Sequence, residues 1–299
     1  MSNSFITQPA RVHAIWMSRR RVLDKLRQNR FLMNSKTIGA FLILVPIALL
    51  VTLAPLLPLQ APLETNLMAM MLPPSLEHPF GTDRMGRDIF SRSLEGVKVS
   101  LQVGLSVAAL ALVMGMLLGT LAGFFGGIID RAVMVIVDIF MAFPSLLLAI
   151  GLIAIMGTGL VPVVMAIAIA DIPRFIRLQR SLVLGLRTRA YIDAARTVQA
   201  SQSWLMTRHI VPNSLAPMLV AASISAANAI LVEASLSFLG LGIMPPAPSL
   251  GNLIREGQLY MEQAWWISTL PGVVILLIAI SFHFLSDGIR QALDPRSRK

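Results

Sequence analysis

Residues able to carry covalent chemistry are few and scattered in this chain. Nucleotide hydrolysis needs a glycine-rich loop closing on Gly-Lys-Ser or Gly-Lys-Thr, whose backbone amides and lysine hold phosphate. The four lysines are Lys25, Lys36, Lys98 and Lys299, and none follows a glycine in that pattern. His13, His78, His209 and His283 are spread along the chain without metal-ligand spacing. Cysteine is absent, which removes disulfides, thiolate ligands and a thiol nucleophile. No serine stands in a nucleophile-elbow motif. The residues therefore point away from an enzyme, and if ATP drives the process, another chain must bind it. Four ionisable residues lie in or beside apolar runs: Asp138, Asp171, Glu233 and His283. Such groups are costly in hydrocarbon and face a bundle interior or a water-filled path. Asp171 and Arg174 stand at the i, i+3 spacing of a helix ion pair. A proton relay through these groups is the alternative use.

The elements that position these residues are membrane helices. Of 299 residues 56% are hydrophobic and 13% charged, against roughly half apolar and a quarter charged in a soluble domain. Crossing the hydrocarbon core takes about 20 apolar residues in a helix. Six runs meet or approach this: 38–57, 99–125, 132–156, 160–175, 215–239 and 266–285. The fourth is interrupted by Asp171 and Pro173 and is expected to continue into a cytoplasmic helical extension. The basic stretch before residue 38 is long and its apolar run exceeds a signal h-region, so a retained first span is expected rather than a cleaved leader. With both termini inside, 20 of the 25 Lys and Arg residues fall on the cytoplasmic side, as the positive-inside rule requires. That distribution also accounts for the net charge of +10 without nucleic acid as a partner. Gly115, Gly119, Gly123 and Gly127 recur every four residues, a small-residue row that lets helix backbones approach closely in lipid; Gly126 and Gly127 also suit a turn. No internal repeat is evident.

The segment from Arg174 to Asn213, between the fourth and fifth spans, exceeds the usual 2–8 residues of a helix connection. Ala190, Ala194, Ala195 and Val198 make a small apolar stripe at helical spacing. Trp204, Leu205 and Ile210 supply larger anchors, and Pro212 marks the start of the next span. A short surface helix of this kind either docks into a groove on a soluble partner or lies on the membrane without one.

This segment resembles the "EAA" loop of binding-protein-dependent permeases, the membrane subunits of bacterial ABC importers. Asp193, Ala194 and Ala195 match Glu-Ala-Ala with Asp for Glu, and His209, Ile210 and Pro212 match the end of the loop. Gln199 stands where the family has a Gly that separates two short helices. HPFGTDRMGRDIFSR (78–92), EASLSFLGLG (233–242) and DGIRQALDPR (287–296) resemble motifs of the dipeptide, oligopeptide and nickel permeases, in the C-type subunit. Leu250 replaces the Trp that usually precedes Gly251.

The resemblance implies an all-α membrane protein of six transmembrane helices, the type I ABC importer permease fold, with a cytoplasmic coupling helix between spans 4 and 5. Its expected organisation is a basic cytoplasmic segment (1–37), a first helix and periplasmic segment (38–98), a permease core (99–286) and a cytoplasmic tail (287–299). The implied partners are a homologous permease subunit, two cytoplasmic ATPases, a periplasmic or extracellular substrate-binding protein and the lipid bilayer of the bacterial inner membrane. ATP and magnesium would sit on the ATPases, with no cofactor or metal on this chain. Asp193, Ala194, Ala195, Arg196, Gln199, His209 and Pro212 are the implied coupling residues, and no catalytic residue is implied. Di- or oligopeptides are the implied cargo, with nickel or another small solute as the alternative. Outside the family, an ion-coupled secondary carrier and a non-transporting scaffold are the competing readings.

Overall fold

The glycine row fixes the first long helix contact. In the computed structural model, which describes residues 35–56 and 59–293, Gly115, Gly119 and Gly123 lie buried on one face of a 37-residue helix, α2 (Ile89–Phe125). They meet α5 (Leu160–Leu186). A Cβ on Gly115 would stand 2.4 Å from Phe175 Cβ, and one on Gly119 2.6 Å from the Ile176 carbonyl oxygen. Small residues are thus required for this approach. Gly127 departs from the row: its φ is +58° and open space surrounds it, so it serves the turn between α2 and α3.

Among the described residues all regular structure is helical, apart from one isolated bridge between Thr82 and Asp88. The order continues from α1 (Ser35–Leu53) through α2 to α3 (Gly127–Met141), α4 (Ser145–Met156) and α5. Two surface helices follow, α6 (Ala190–Thr197) and α7 (Gln202–Leu205). A π-turn (Met206–Ile210) joins α7 to α8 (Val211–Phe238). The chain ends with α9 (Leu250–Gln258) and α10 (Trp266–Leu293). Helix α2 packs on α5 and α8, and α10 packs on α1, α8 and α9. One apolar core joins α2, α8, α9 and α10 around Ile230, Leu250, Leu253 and Ile278. A second joins α2, α4, α5 and α8 around Val103, Val107, Ile153 and Val163.

Among the described residues four helical runs are long and apolar enough to cross a membrane: Ser35–Leu56, Ile89–Phe125, Gln202–Phe238 and Trp266–Gln291. The expected third span is not one straight helix. It is broken into α3 and α4 with a 90° bend, and counting the pair as one span makes five. The cause is Pro144, which has no amide hydrogen and disfavours helical backbone at Phe143; it sits at the N-cap of α4 with ψ 130°. At 1.5 Å per residue, neither half reaches the roughly 30 Å of hydrocarbon alone. Helix α5 is long enough but carries Asp171, Arg174, Arg177 and Arg180, so length and composition give four or five spans rather than the expected six. It runs unbroken through Pro173, so the expected interruption is one of polarity and not of backbone. Most of the N-terminal basic segment, Leu57 and the last residues of the 287–296 motif lie outside the described residues.

Candidate functional site

The surface segment is built on Ile192. This side chain is wholly buried and packs with Val183, Leu205 and Ile210, with Phe124, Leu186, Ala195 and Ala200 at the edge of the cluster. Helix α6 is therefore fixed to the ends of α2 and α5 and to the run leading into α8. The expected apolar stripe is only partly the inward face: Ala195 is half-buried, but Ala194 and Val198 are exposed. Of the expected anchors, Leu205 and Ile210 are buried while Trp204 is 46% exposed.

The surface helix expected in this segment is two short helices, α6 and α7. They part at Gln199, which has φ +56°; its amide donates to the Arg196 carbonyl, and Ala200 N–H to the Ala195 carbonyl, 2.9 and 3.1 Å. A glutamine thus makes the left-handed turn where the resemblance implied a glycine, at a cost of roughly 1–2 kcal/mol for an L-residue in that conformation. Ser201 restarts the helix as N-cap, its Oγ accepting from Trp204 N–H at 3.3 Å. Pro212 stands at the start of α8, as expected, but inside a continuous helical run. Pro212 has no N–H to donate, and the Asn213 amide Nδ2 donates to the His209 carbonyl at 2.5 Å.

Among the sequence-derived coupling residues, Asp193, Ala194, Arg196, Gln199 and Pro212 are exposed, and Ala195 and His209 are half-buried. Arg196 Nη1 reaches Asp193 Oδ1 at 3.3 Å, so the two charges already face each other. The sequence reading missed an aromatic group around His209: the Trp204 ring packs edge-on at 4.7 Å between centroids and Tyr191 lies at 5.9 Å. Both rings are partly exposed, making an amphipathic patch beside Asp193 and Arg196. The signal was present in the aromatic types at 191 and 204, but the turn at Gln199 had to be known to bring them together.

Two polar clamps hold the body beneath this surface. Gln179 is buried and its Nε2 donates to Thr120 Oγ1 and Ser214 Oγ, both at 2.8 Å, tying α2, α5 and α8. Arg180 makes a two-point pair with Asp130 of α3, with Nη2 to Oδ2 at 2.6 Å.

The other motifs are structural locks away from this surface. In 78–92, Asp88 caps α2 by accepting from Ser91 N–H at 2.7 Å, and His78 Nδ1 lies 3.1 Å from its other oxygen. Arg92, buried, reaches Asp83 at 2.6 Å and Glu256 of α9 at 2.9 Å; Arg87 joins the same two carboxylates at 2.6 and 3.1 Å. In 233–242, Glu233 is buried and accepts from Ser100 Oγ at 3.0 Å and Ser237 Oγ at 2.8 Å. In the described part of 287–296, Asp287 pairs with Lys36 at 2.5 Å, closing α10 on the start of α1.

Three of the four ionisable residues of the apolar runs, Asp138, Asp171 and Glu233, have partners of their own. Asp138 accepts from Arg177 Nη2 at 2.5 Å. Asp171 accepts from Ser225 Oγ at 2.5 Å and stands 3.7 Å from Arg174 Nε. His283 is exposed on α10. Asp138, Asp171 and Glu233 are held at separate places rather than as one chain of proton donors and acceptors.

Residues 115–299 match the family described as binding-protein-dependent transport system inner membrane component. This chain belongs to that family. As a member, it is a membrane permease subunit of an ABC transporter. It is 44% identical over 263 residues to a putative peptide transport system permease protein of Brucella suis, covering 88% of each chain. It is 40% identical over 265 residues to the dipeptide transport system permease protein of Alkalihalophilus pseudofirmus, covering 89% of this chain and 87% of that one. A chain of the MetNI methionine ABC transporter, solved in inward-facing conformations, superposes with a TM-score of 0.55 at 22% identity, covering 67% of this chain and 95% of that chain. The permease fold expected from the motifs is therefore the fold of this chain, with the span count read as above.

Proposed function

We propose that this permease subunit forms half of the pore of an ATP-driven importer for di- or oligopeptides, with α6, α7 and His209 as the surface on which a separate ATPase docks. The observation that carries the reading is the two-sidedness of that surface. Ile192, Leu205 and Ile210 fasten it to three long helices, while Tyr191, Asp193, Ala194, Arg196, Gln199 and Trp204 face outward. A lever needs both a rigid attachment and a free contact face. The peptide-permease names of relatives at 40–44% identity support the cargo class.

In this reading the subunit sits in the bacterial inner membrane with both termini inside and crosses it six times, α5 supplying the sixth crossing. The expected division at 37/38, 98/99 and 286/287 follows from that topology. A second, homologous permease completes the pore, two ATPases hold the ATP and magnesium, and a binding protein delivers peptide from outside. Nucleotide and ligand drive alternation by binding the two pore states unequally. Asp193, Ala194, Ala195, Arg196, Gln199, His209 and Pro212 belong to or border the docking surface, to which Tyr191 and Trp204 are now added.

Ala194 offers the cleanest test because it is exposed and is not one of the residues of the anchoring cluster. Ala194→Arg should leave insertion and assembly intact but lower peptide uptake per ATP hydrolysed in the reconstituted transporter. Unchanged coupling in Ala194→Arg and in Ala195→Arg together would refute the assignment.

A further inference from the structure

A cavity of about 240 Å³ opens where α4, α5 and α8 meet, and its polar lining is Ser145, Asp171, Arg174, Ser225 and Asn228. Its remaining lining is apolar. The volume far exceeds what one water needs. Asp171 and Arg174 lie 11 and 14 residues into α5, about 16 to 21 Å along it. The Arg174 side chain is 52% exposed. A guanidinium beside an apolar run is costly against lipid and belongs on a bundle interior or a water-filled path, which places the cavity on the path of the proposed pore.

Both signs of charge line the cavity. Asp171 is engaged by Ser225 at 2.5 Å. Arg174 is 3.7 Å from Asp171, longer than a hydrogen bond, and this is its one polar contact among the described residues, so its fork of donors remains available. The Asn228 side chain has no hydrogen-bond partner among the described residues, although it lines the same space. Ser145 is the first residue of α4, whose start has no side-chain cap, so unpaired N–H groups and the positive end of the helix dipole lie at the cavity wall. An arginine fork, a free amide and a helix start converge on an anionic group, which a peptide supplies as its C-terminal carboxylate.

We propose that this cavity is a transit subsite for the free C-terminal carboxylate of a small peptide, with Arg174 and Asn228 as its ligands and the apolar wall accepting the terminal side chain. The proposal rests on the peptide-import reading and adds to it a recognition step inside the membrane.

The chain has no cysteine, so Ala170→Cys, at a small residue lining the cavity, gives a single thiol reporter on this subunit. In the assembled transporter in proteoliposomes, a water-soluble maleimide should label it. Trialanine at about ten times its Kd should slow labelling about tenfold by occupancy. Trialanine amide and chloride should not, and adding Arg174→Gln should abolish the protection. With no reporter present, Arg174→Gln should raise the KM for trialanine uptake while the binding protein's affinity stays unchanged. No labelling, or equal protection by trialanine, its amide and chloride, overturns the proposal even where ATP-driven uptake is intact. Absence of ATP-driven peptide uptake by the native complex instead overturns the reading on which it rests.

Discussion

Replacing Ile192 with alanine should detach α6, the proposed docking helix, from the body without unfolding the bundle. Helix α6 has only eight residues, too few to be stable alone in water. Ile192 is its one fully buried side chain, assisted by the half-buried Ala195. Ile→Ala in a packed site costs about 2–5 kcal/mol. Taking about 2–4 kcal/mol for this peripheral cluster shifts the docked-to-detached ratio roughly 30- to 700-fold. The loss is local, because Val183, Leu205 and Ile210 sit on or beside longer helical runs that persist without α6. In proteoliposomes holding the complete transporter, the expected result is sustained ATP hydrolysis with a marked fall in peptide imported per ATP. Ile192→Val, which costs about 0.5–1.5 kcal/mol, should show a small fraction of this effect. Leu205→Ala should uncouple less than Ile192→Ala because α7 continues into α8. A full import-to-hydrolysis ratio in Ile192→Ala would refute the view that force passes through the anchored α6.

Gln199→Gly should relieve the left-handed strain at φ +56°, and after glycine's own entropy cost the net change is between nil and about 1 kcal/mol of stabilisation. Uptake assays should show transport kept or raised, and a collapse would mean that the glutamine side chain itself makes the partner contact. Arg92→Met leaves Asp83 and Glu256 with Arg87 alone, a loss of about 3–5 kcal/mol for a broken buried pair; thermal unfolding in detergent should show a lowered Tm, and an unchanged Tm would deny that the 78–92 motif is a structural lock. Gly119→Leu should overpack the α2–α5 contact by at least about 1–3 kcal/mol and lower the yield of assembled complex. Gly151→Ala, with nothing within 4 Å of its Cβ, should be neutral or stabilising by up to about 1 kcal/mol in the same assay.

What was legible in the sequence was local. Apolar runs of adequate length located α1, α2, α8 and α10, and the Gly115–Gly119–Gly123 spacing marked a close helix contact because periodicity alone sets which residues share a face. The break between α3 and α4 was hidden by counting hydrophobicity across 132–156, although Pro144 cannot donate to a helix ladder. The 78–92 motif was recognised as a pattern, but its purpose lay in Arg92 meeting Glu256, 164 residues away. Counted along the chain, Arg87 and Arg92 are merely basic residues on the less basic side; in space they are neutralised by Asp83 and Glu256. The proposed docking residues rest on resemblance, whereas adding Tyr191 and Trp204 to them needed the fold of the turn. The carboxylate-binding cavity draws on α4, α5 and α8, and no sequence spacing records that meeting.

The most direct test of the account is to purify this subunit under mild conditions from its native host and reconstitute what accompanies it. The account predicts recovery of a second homologous permease and ATPase subunits, and peptide import into proteoliposomes that requires ATP and a binding protein. Recovery of the chain alone, transporting without ATP and driven by an ion gradient, would contradict it.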